Sequence, residues 1–461
     1  MTASAVSSLL DVVMPPESVV RTRLANGLRV LIRRDTSAPV VAVVTYVKAG
    51  YFDETDDIVG ISHVLEHMYF KGTPARGVGE IARETKASGG YLNAATIYDH
   101  THYYAVLPAS GFAAGLAIQA DAYANSLIDA GELARELEVI IEEAKRKADS
   151  PGALSTETLF ALLHDAHRIR RWRIGRESGL RTITRDQVAQ FYQNFYRPSN
   201  TVLAIVGDVR PEEALALVKR EYGEIPDARV ERSFGPAEPE HREDGPRYTE
   251  LAGDIQQSEL VFGWRTPAIT HEDTPSLDLL GAVLASGRAS RLYRAVRERR
   301  LASFVTAYNY TPEELGVFVV HASSRPERAR SAVRAAWDEV RRAREGEVTE
   351  VEVARACRVL EAQWLRRFET MQGQASHLAT WELLGDWRMG GGYLERLLDT
   401  DASRLAEIAA RWLPAASAAL VAYRPSSAPP FAESVEEMRS ALEGDLAEPL
   451  APLTRPKRPS P

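Results

Sequence analysis

His63, Glu66 and His67 stand in the run Gly60-Ile61-Ser62-His63-Val64-Leu65-Glu66-His67-Met68. On a helix each residue turns by about 100°, so Ile61, Val64, Leu65 and Met68 share one face and His63, Glu66 and His67 share the opposite one. Two imidazoles one turn apart can reach a single ion. The Glu between them stays on the same face, close enough to touch a water on that ion without being forced to bind it, which is the place of a general base. The plainer reading is a helix with a polar solvent face. The chain holds ten His, and composition alone gives this spacing in only about one or two per cent of such sequences. Metal-dependent hydrolysis is the better reading.

A catalytic zinc needs a third protein ligand and an open position for water. The segment Glu132 to Ala144 supplies the best carboxylates. Leu133, Leu137, Ile140 and Ala144 form its buried stripe, with Glu136 and Glu143 on one edge of that stripe and Glu142 pointing to solvent. A carboxylate at the edge can reach an ion between two helices, so Glu143 is the expected third ligand to one zinc per chain. Glu136 is the expected group behind the ligands, orienting one of them or tuning its basicity. Without the histidines, this Glu-rich helix would read as an acidic surface.

These residues need a scaffold. The first half opens with a strand pair, Leu28 to Ile32 after the Asn26-Gly27 turn and β-branched Val40 to Val47. A helix follows from about Gly60, then strands within Tyr91 to Val106. Helices are expected over Gly111 to Ile128, Gly131 to Lys147 and Thr184 to Phe195, and a strand over Thr201 to Val206. The second half repeats the style, with strands at Glu259 to Trp264, around Phe304, at Val317 to Ala322 and at Ala418 to Tyr423. Its helices are expected over Ser276 to Ala285, Arg291 to Arg299, Pro326 to Arg344 and Thr349 to Glu369. The fold class is therefore α+β, two similar domains of mixed sheet plus helices. The domains are 1–225 with the metal motif and 247–448 without it. They are joined by a Pro-, Glu- and Arg-rich linker over 226–246 and followed by a disordered tail over 449–461.

The chain's 461 residues are too many for one ordinary core. Hydrophobic residues at 45% and charged residues at 26% suit a soluble globular protein. A net charge of -8 argues against a phosphate-backbone binder, and the Arg168 to Arg173 cluster reads as a solvated loop or helix face. Cys357 is the single cysteine, which rules out an internal disulfide and reads as a small core side chain. The N-terminal residues make a poor secretory or mitochondrial signal, and no segment approaches the roughly 20 apolar residues of a membrane helix. A cytoplasmic protein with no nucleic-acid or membrane partner is expected.

The motif also carries a resemblance. His63 to His67 is the inverted zinc motif of the inverzincins, and His63 to Thr73 (HVLEHMYFKGT) resembles the zinc helix of the pitrilysin, insulin-degrading enzyme and processing-peptidase family. Gly89 to Tyr104, Tyr196 to Val209, Ser290 to Tyr293 and Leu384 to Asp386 are similar to further segments of it, and the Glu-rich helix follows at the family's distance, again pointing to Glu143. The resemblance covers roughly Val20 to Pro425. It implies domains of the processing-peptidase type and a zinc endopeptidase acting on peptides or small unfolded polypeptides. Substrate would add as a strand to an exposed sheet edge, with Asn93 and Ala94 as substrate-binding positions. His100 and His102 read as packing residues.

One departure bears on partners. Many relatives carry an Arg and a Tyr in the second domain that hold the substrate carbonyl. Here Arg297 is present, but Ser303 or Phe304 falls where the Tyr belongs, and Phe has no hydroxyl to polarise a carbonyl. The pattern resembles the zinc-bearing subunit of a heterodimer whose partner carries the Arg/Tyr pair. A homodimer, with Tyr308 or Tyr310 substituting, is the other reading. A non-catalytic assembly subunit of the same fold is the rival from a different class.

Overall fold

The computed structural model describes residues 9–232, 235–239 and 245–443. The expected tail over 449–461 and part of the expected linker (233–234 and 240–244) lie outside the described residues.

Two mixed sheets organise the chain. The first has six strands: β1 (Val19–Arg23), β2 (Arg29–Arg34), β3 (Val40–Val47), β4 (Tyr91–Thr96), β5 (Thr101–Pro108) and β6 (Thr201–Gly207), in the order β1-β2-β6-β3-β5-β4. The second has β7 (Arg247–Gly253), β8 (Ser258–Thr266), β9 (Phe304–Tyr310), β10 (Gly316–Ser324) and β11 (Ala419–Pro425), in the order β7-β11-β8-β10-β9. From β2 onward the two sheets follow one plan. A parallel pair (β2 with β6, β7 with β11) is continued by three antiparallel strands, and β4 and β9 are the equivalent edges.

This order corrects the expected strand pair. The Asn26-Gly27 turn joins β2 to β1, a strand missed in the sequence, while β6 lies between β2 and β3. The reason is visible in β3 itself. Val41 through Val47 are all buried, as required of a strand flanked on both sides and covered on both faces.

The sheets lie on either side of 226–246, but the helices do not respect that boundary. Among the described residues, one compact unit combines 9–149, 167–232, 235–237 and 361–398; the other combines 150–166, 238–239, 245–360 and 399–443. The helix Met371–Leu384 therefore packs on β3 and β6, and Pro151–Leu163 packs on β8 and β11. Polar pairs fasten the first of these. Buried Glu382 accepts from Arg21 Nη2 at 2.9 Å and Gln374 donates to Asp35 at 2.9 Å. Arg247 pairs with Asp165 at 2.7 Å just beyond the second.

The arginine cluster is not the solvated face expected. Arg168 is buried, Arg171 pairs with Asp56 at 2.7 Å, and Arg173 lies over the Tyr98 ring. Cys357 lies half-buried in the helix Glu350–Arg366.

Candidate metal centre

The motif forms the helix Ile61–Met68, buried over Ile61 to Leu65 and at Met68. Its start is unusually specified. Gly60 adopts φ +99°, and a Cβ there would come within 2.6 Å of the Ile174 carbonyl, so glycine is required on both counts. The Glu54 carboxylate accepts from the Gly60 and Ser62 N–H groups at 2.9 and 3.0 Å, satisfying donors that a helix N-terminus leaves open. Burial pushes that carboxyl up to about 8, against the pull of those N–H groups and of Arg171. Where the helix ends, Tyr69 stacks on Tyr103 of β5 with ring centroids 3.6 Å apart, and Tyr103 bonds Tyr196 at 2.6 Å. The start of the motif is thus held by Glu54 and its end by the sheet.

The helix Ala130–Ala148 packs against it, capped by Asp129, which accepts from Gly131 and Glu132. Along this helix Glu142 is exposed and pairs with Lys145 at 3.0 Å. Glu143 turns the other way, and its Oε2 lies 3.8 Å from Nε2 of both His63 and His67. The ligand atoms of these three residues all lie within 4.8 Å of one another. His63 is 8% exposed, so the motif's polar face is not a solvent face. Burial pushes the His63 imidazole down to about 3, with His67 and Lys147 adding to the shift. The ring is neutral at ordinary pH and keeps a lone pair for a metal.

Two imidazoles and a carboxylate are a donor set that suits catalytic zinc. Tetrahedral bonds of about 2.0–2.2 Å separate ligand atoms by roughly 3.3–3.6 Å, so the two 3.8 Å gaps to Glu143 need a few tenths of an ångström of closure, and the two imidazoles, within 4.8 Å of each other, need at most about an ångström more. The residues fit the ion.

Behind the ligands, Glu136 Oε2 lies 3.0 Å from Nδ1 of His67, and Lys71 Nζ donates to Glu136 Oε1. Burial acts to raise the Glu136 carboxyl, but the hydrogen bonds from Lys71 and His67 outweigh it and hold it below its usual range. Glu66 accepts from Thr96 Oγ1 at 2.6 Å through Oε2. Burial raises the Glu66 carboxyl against that bond. Thr96 and Lys71 went unmarked in the sequence. Lys71 extends the His63, His67 spacing by another four residues, which could have found it; Thr96 carries no local signal.

Asn93 and Ala94 lie in β4, the edge of the first sheet, opposite Tyr104 and Tyr103. Asn93 is exposed and its side chain accepts from the Ala94 N–H at 2.8 Å. His100 and His102 are not drawn into the metal group: their rings pack on Tyr46 with centroids 4.5 and 4.9 Å away. In the other unit, Phe304 is half-exposed on the edge strand β9 and packs edge-on against His321.

Two family descriptions match this chain: insulinase, peptidase family M16, over residues 29–171, and the peptidase M16 inactive domain over 182–360. An uncharacterized zinc protease of Mycobacterium bovis is 31% identical over 368 residues, covering 79% of this chain and 83% of the relative. The zinc protease PqqE of Helicobacter pylori is 26% identical over 391 residues, covering 84% and 88%. Among solved structures, a protease from Helicobacter pylori aligns with a TM-score of 0.83 at 25% identity, over 88% of this chain and 99% of that one. The periplasmic protease PqqL of Escherichia coli aligns with a TM-score of 0.74 at 21% identity, over 95% of this chain and 51% of that one. Two sheets of one plan with these helices are the fold of the M16-like peptidases. The chain belongs to peptidase family M16, the pitrilysin and insulinase family, whose relatives here are named zinc proteases.

Proposed function

We propose that this chain is a zinc-dependent endopeptidase in which His63, His67 and Glu143 hold the metal and Glu66 is the catalytic base. The observation that carries the reading is the convergence of three ligand atoms within 4.8 Å beside a Glu that binds none of them. Zinc, when bound, supplies Lewis-acid activation of a water and polarisation of the scissile carbonyl. Thr96 occupies Oε2 of Glu66, which leaves Oε1 to take the proton of the attacking water and return it to the leaving amine. A peptide adds as a further strand to the edge of β4, at Asn93 and Ala94.

Substrates are peptides or small unfolded polypeptides, since only an extended chain can pair with a strand edge. Ser303 or Phe304 in place of the usual Tyr supports a zinc-bearing subunit that works with a related partner carrying the Arg/Tyr pair; the alternative is a homodimer, with Tyr308 or Tyr310 substituting. No helix among the described residues is long and apolar enough to cross a membrane, and cytoplasm is the compartment we assign.

The test is cleavage of unstructured peptides by the zinc-loaded chain, alone and with a related subunit, beside Glu66→Gln. Metal-dependent cleavage that Glu66→Gln loses while keeping its zinc supports the reading. Full turnover in zinc-loaded Glu66→Gln would remove Glu66 as the base, whereas a chain that holds no zinc and shows no metal-dependent cleavage under any pairing favours the non-catalytic assembly subunit instead.

A further inference from the structure

Glu136 and Glu143 occupy one face of the same helix, two turns apart, both beside His67. Either carboxylate has the chemistry of a metal ligand, and something must decide between them. What distinguishes them is Lys71. Its Nζ donates to Glu136 Oε1, while Glu136 Oε2 lies 3.0 Å from Nδ1 of His67. Both oxygens of Glu136 are therefore committed, one to the lysine and one to the imidazole. Glu143 instead faces the two Nε2 atoms.

We propose that Lys71 is a positioning residue of the metal centre, which acts by tethering Glu136. The tether makes Glu136 an acceptor for the Nδ1–H of His67, so the ring keeps one tautomer and one orientation and presents the Nε2 lone pair toward Glu143. It also withholds Glu136 from the ion, which keeps a coordination position open for water. The contrast with His63 is informative: its Nδ1 is buried without a hydrogen-bond partner among the described residues. The lysine–carboxylate relay thus serves His67. This inference rests on the reading of the site as a zinc centre.

Charge and tether predict opposite signs, which makes the proposal testable. Acting through space alone, the Lys71 cation repels zinc, and its removal would tighten binding. Acting as a tether, its removal loosens His67 and weakens binding. The experiment measures zinc dissociation constants of the full metal-free chain by competition with a chromophoric chelator. The variants are Lys71→Met, Lys71→Arg, Glu136→Gln and the Lys71→Met/Glu136→Gln pair, each with its melting temperature.

Lys71→Met is expected to weaken zinc binding by about ten- to a hundredfold with melting temperature retained, and Lys71→Arg to recover part of the loss. In the Glu136→Gln background, Lys71→Met is expected to add no further loss, because the lysine acts only through that carboxylate. Unchanged or tighter binding in Lys71→Met, or losses that multiply in the double variant, would overturn the proposal. Lys71→Arg and the double variant carry the test should Lys71→Met fail to fold. A parent chain that binds no zinc would instead overturn the metal-centre reading itself, and is seen before any variant is compared.

Discussion

Thr96, the last residue of β4, donates a 2.6 Å hydrogen bond to Oε2 of Glu66. The edge strand on which we propose that a peptide binds is thereby coupled to the carboxylate proposed to act on that peptide. A hydrogen bond to a charged group contributes about 1.5–3 kcal/mol. Thr96→Val is expected to lower kcat at least about tenfold while zinc per chain stays unchanged, and Thr96→Ser to keep most of the activity. Steady-state kinetics with metal analysis checks both; an unchanged kcat in Thr96→Val would show that Glu66 is oriented by something else.

Gly60 starts the motif helix at φ +99° with the Ile174 carbonyl 2.6 Å from where a Cβ would stand. Gly60→Ala meets a left-handed backbone and a backbone clash together. A destabilisation of about 2 kcal/mol or more is expected, with weakened zinc binding because Ser62 and His63 follow directly. Chemical denaturation reads the first effect and chelator competition the second. Wild-type values for both would mean that the helix start is not constrained as described.

Three histidines away from the proposed ligands, His100 and His377 buried and His102 half-buried, are neutral in the fold. Burial pushes His102 down to about 4 and His377 to about 3, and it lowers His100 well below its ordinary 6.5. An unfolded chain takes up protons on these rings below about 6.5, where the folded chain does not. Their contribution to stability is therefore complete above that pH and is lost as pH falls toward the folded values. The melting temperature of the metal-free protein is expected to drop between pH 7 and pH 5, with a shallower slope in His102→Asn. Identical slopes would remove His102 from the account.

Local periodicity made the grouping of the proposed metal centre legible. His63, Glu66 and His67 share a face by spacing alone, and the edge position of Glu143 against the solvent side of Glu142 follows from the expected stripe of Leu133, Leu137, Ile140 and Ala144, of which Leu137 is only half-buried. The partners of those residues were not legible, because they arrive from other elements: Lys71 reaches Glu136 across 65 positions and Thr96 reaches Glu66 across 30. The helix Met371–Leu384 shows the same limit at the level of the fold. Its buried residues circle the helix and include Gln374, His377 and Glu382, so no apolar stripe marks which sheet it covers. Its buried polar residues bond instead to Arg21 and Asp35, more than three hundred positions away.

Zinc per folded chain, measured after exhaustive dialysis in the parent, Glu143→Gln and Glu142→Gln, tests the centre most directly. One zinc is expected in the parent and in Glu142→Gln, and far less than one in Glu143→Gln. Full zinc in Glu143→Gln, or its loss in Glu142→Gln, would contradict the proposed ligand set.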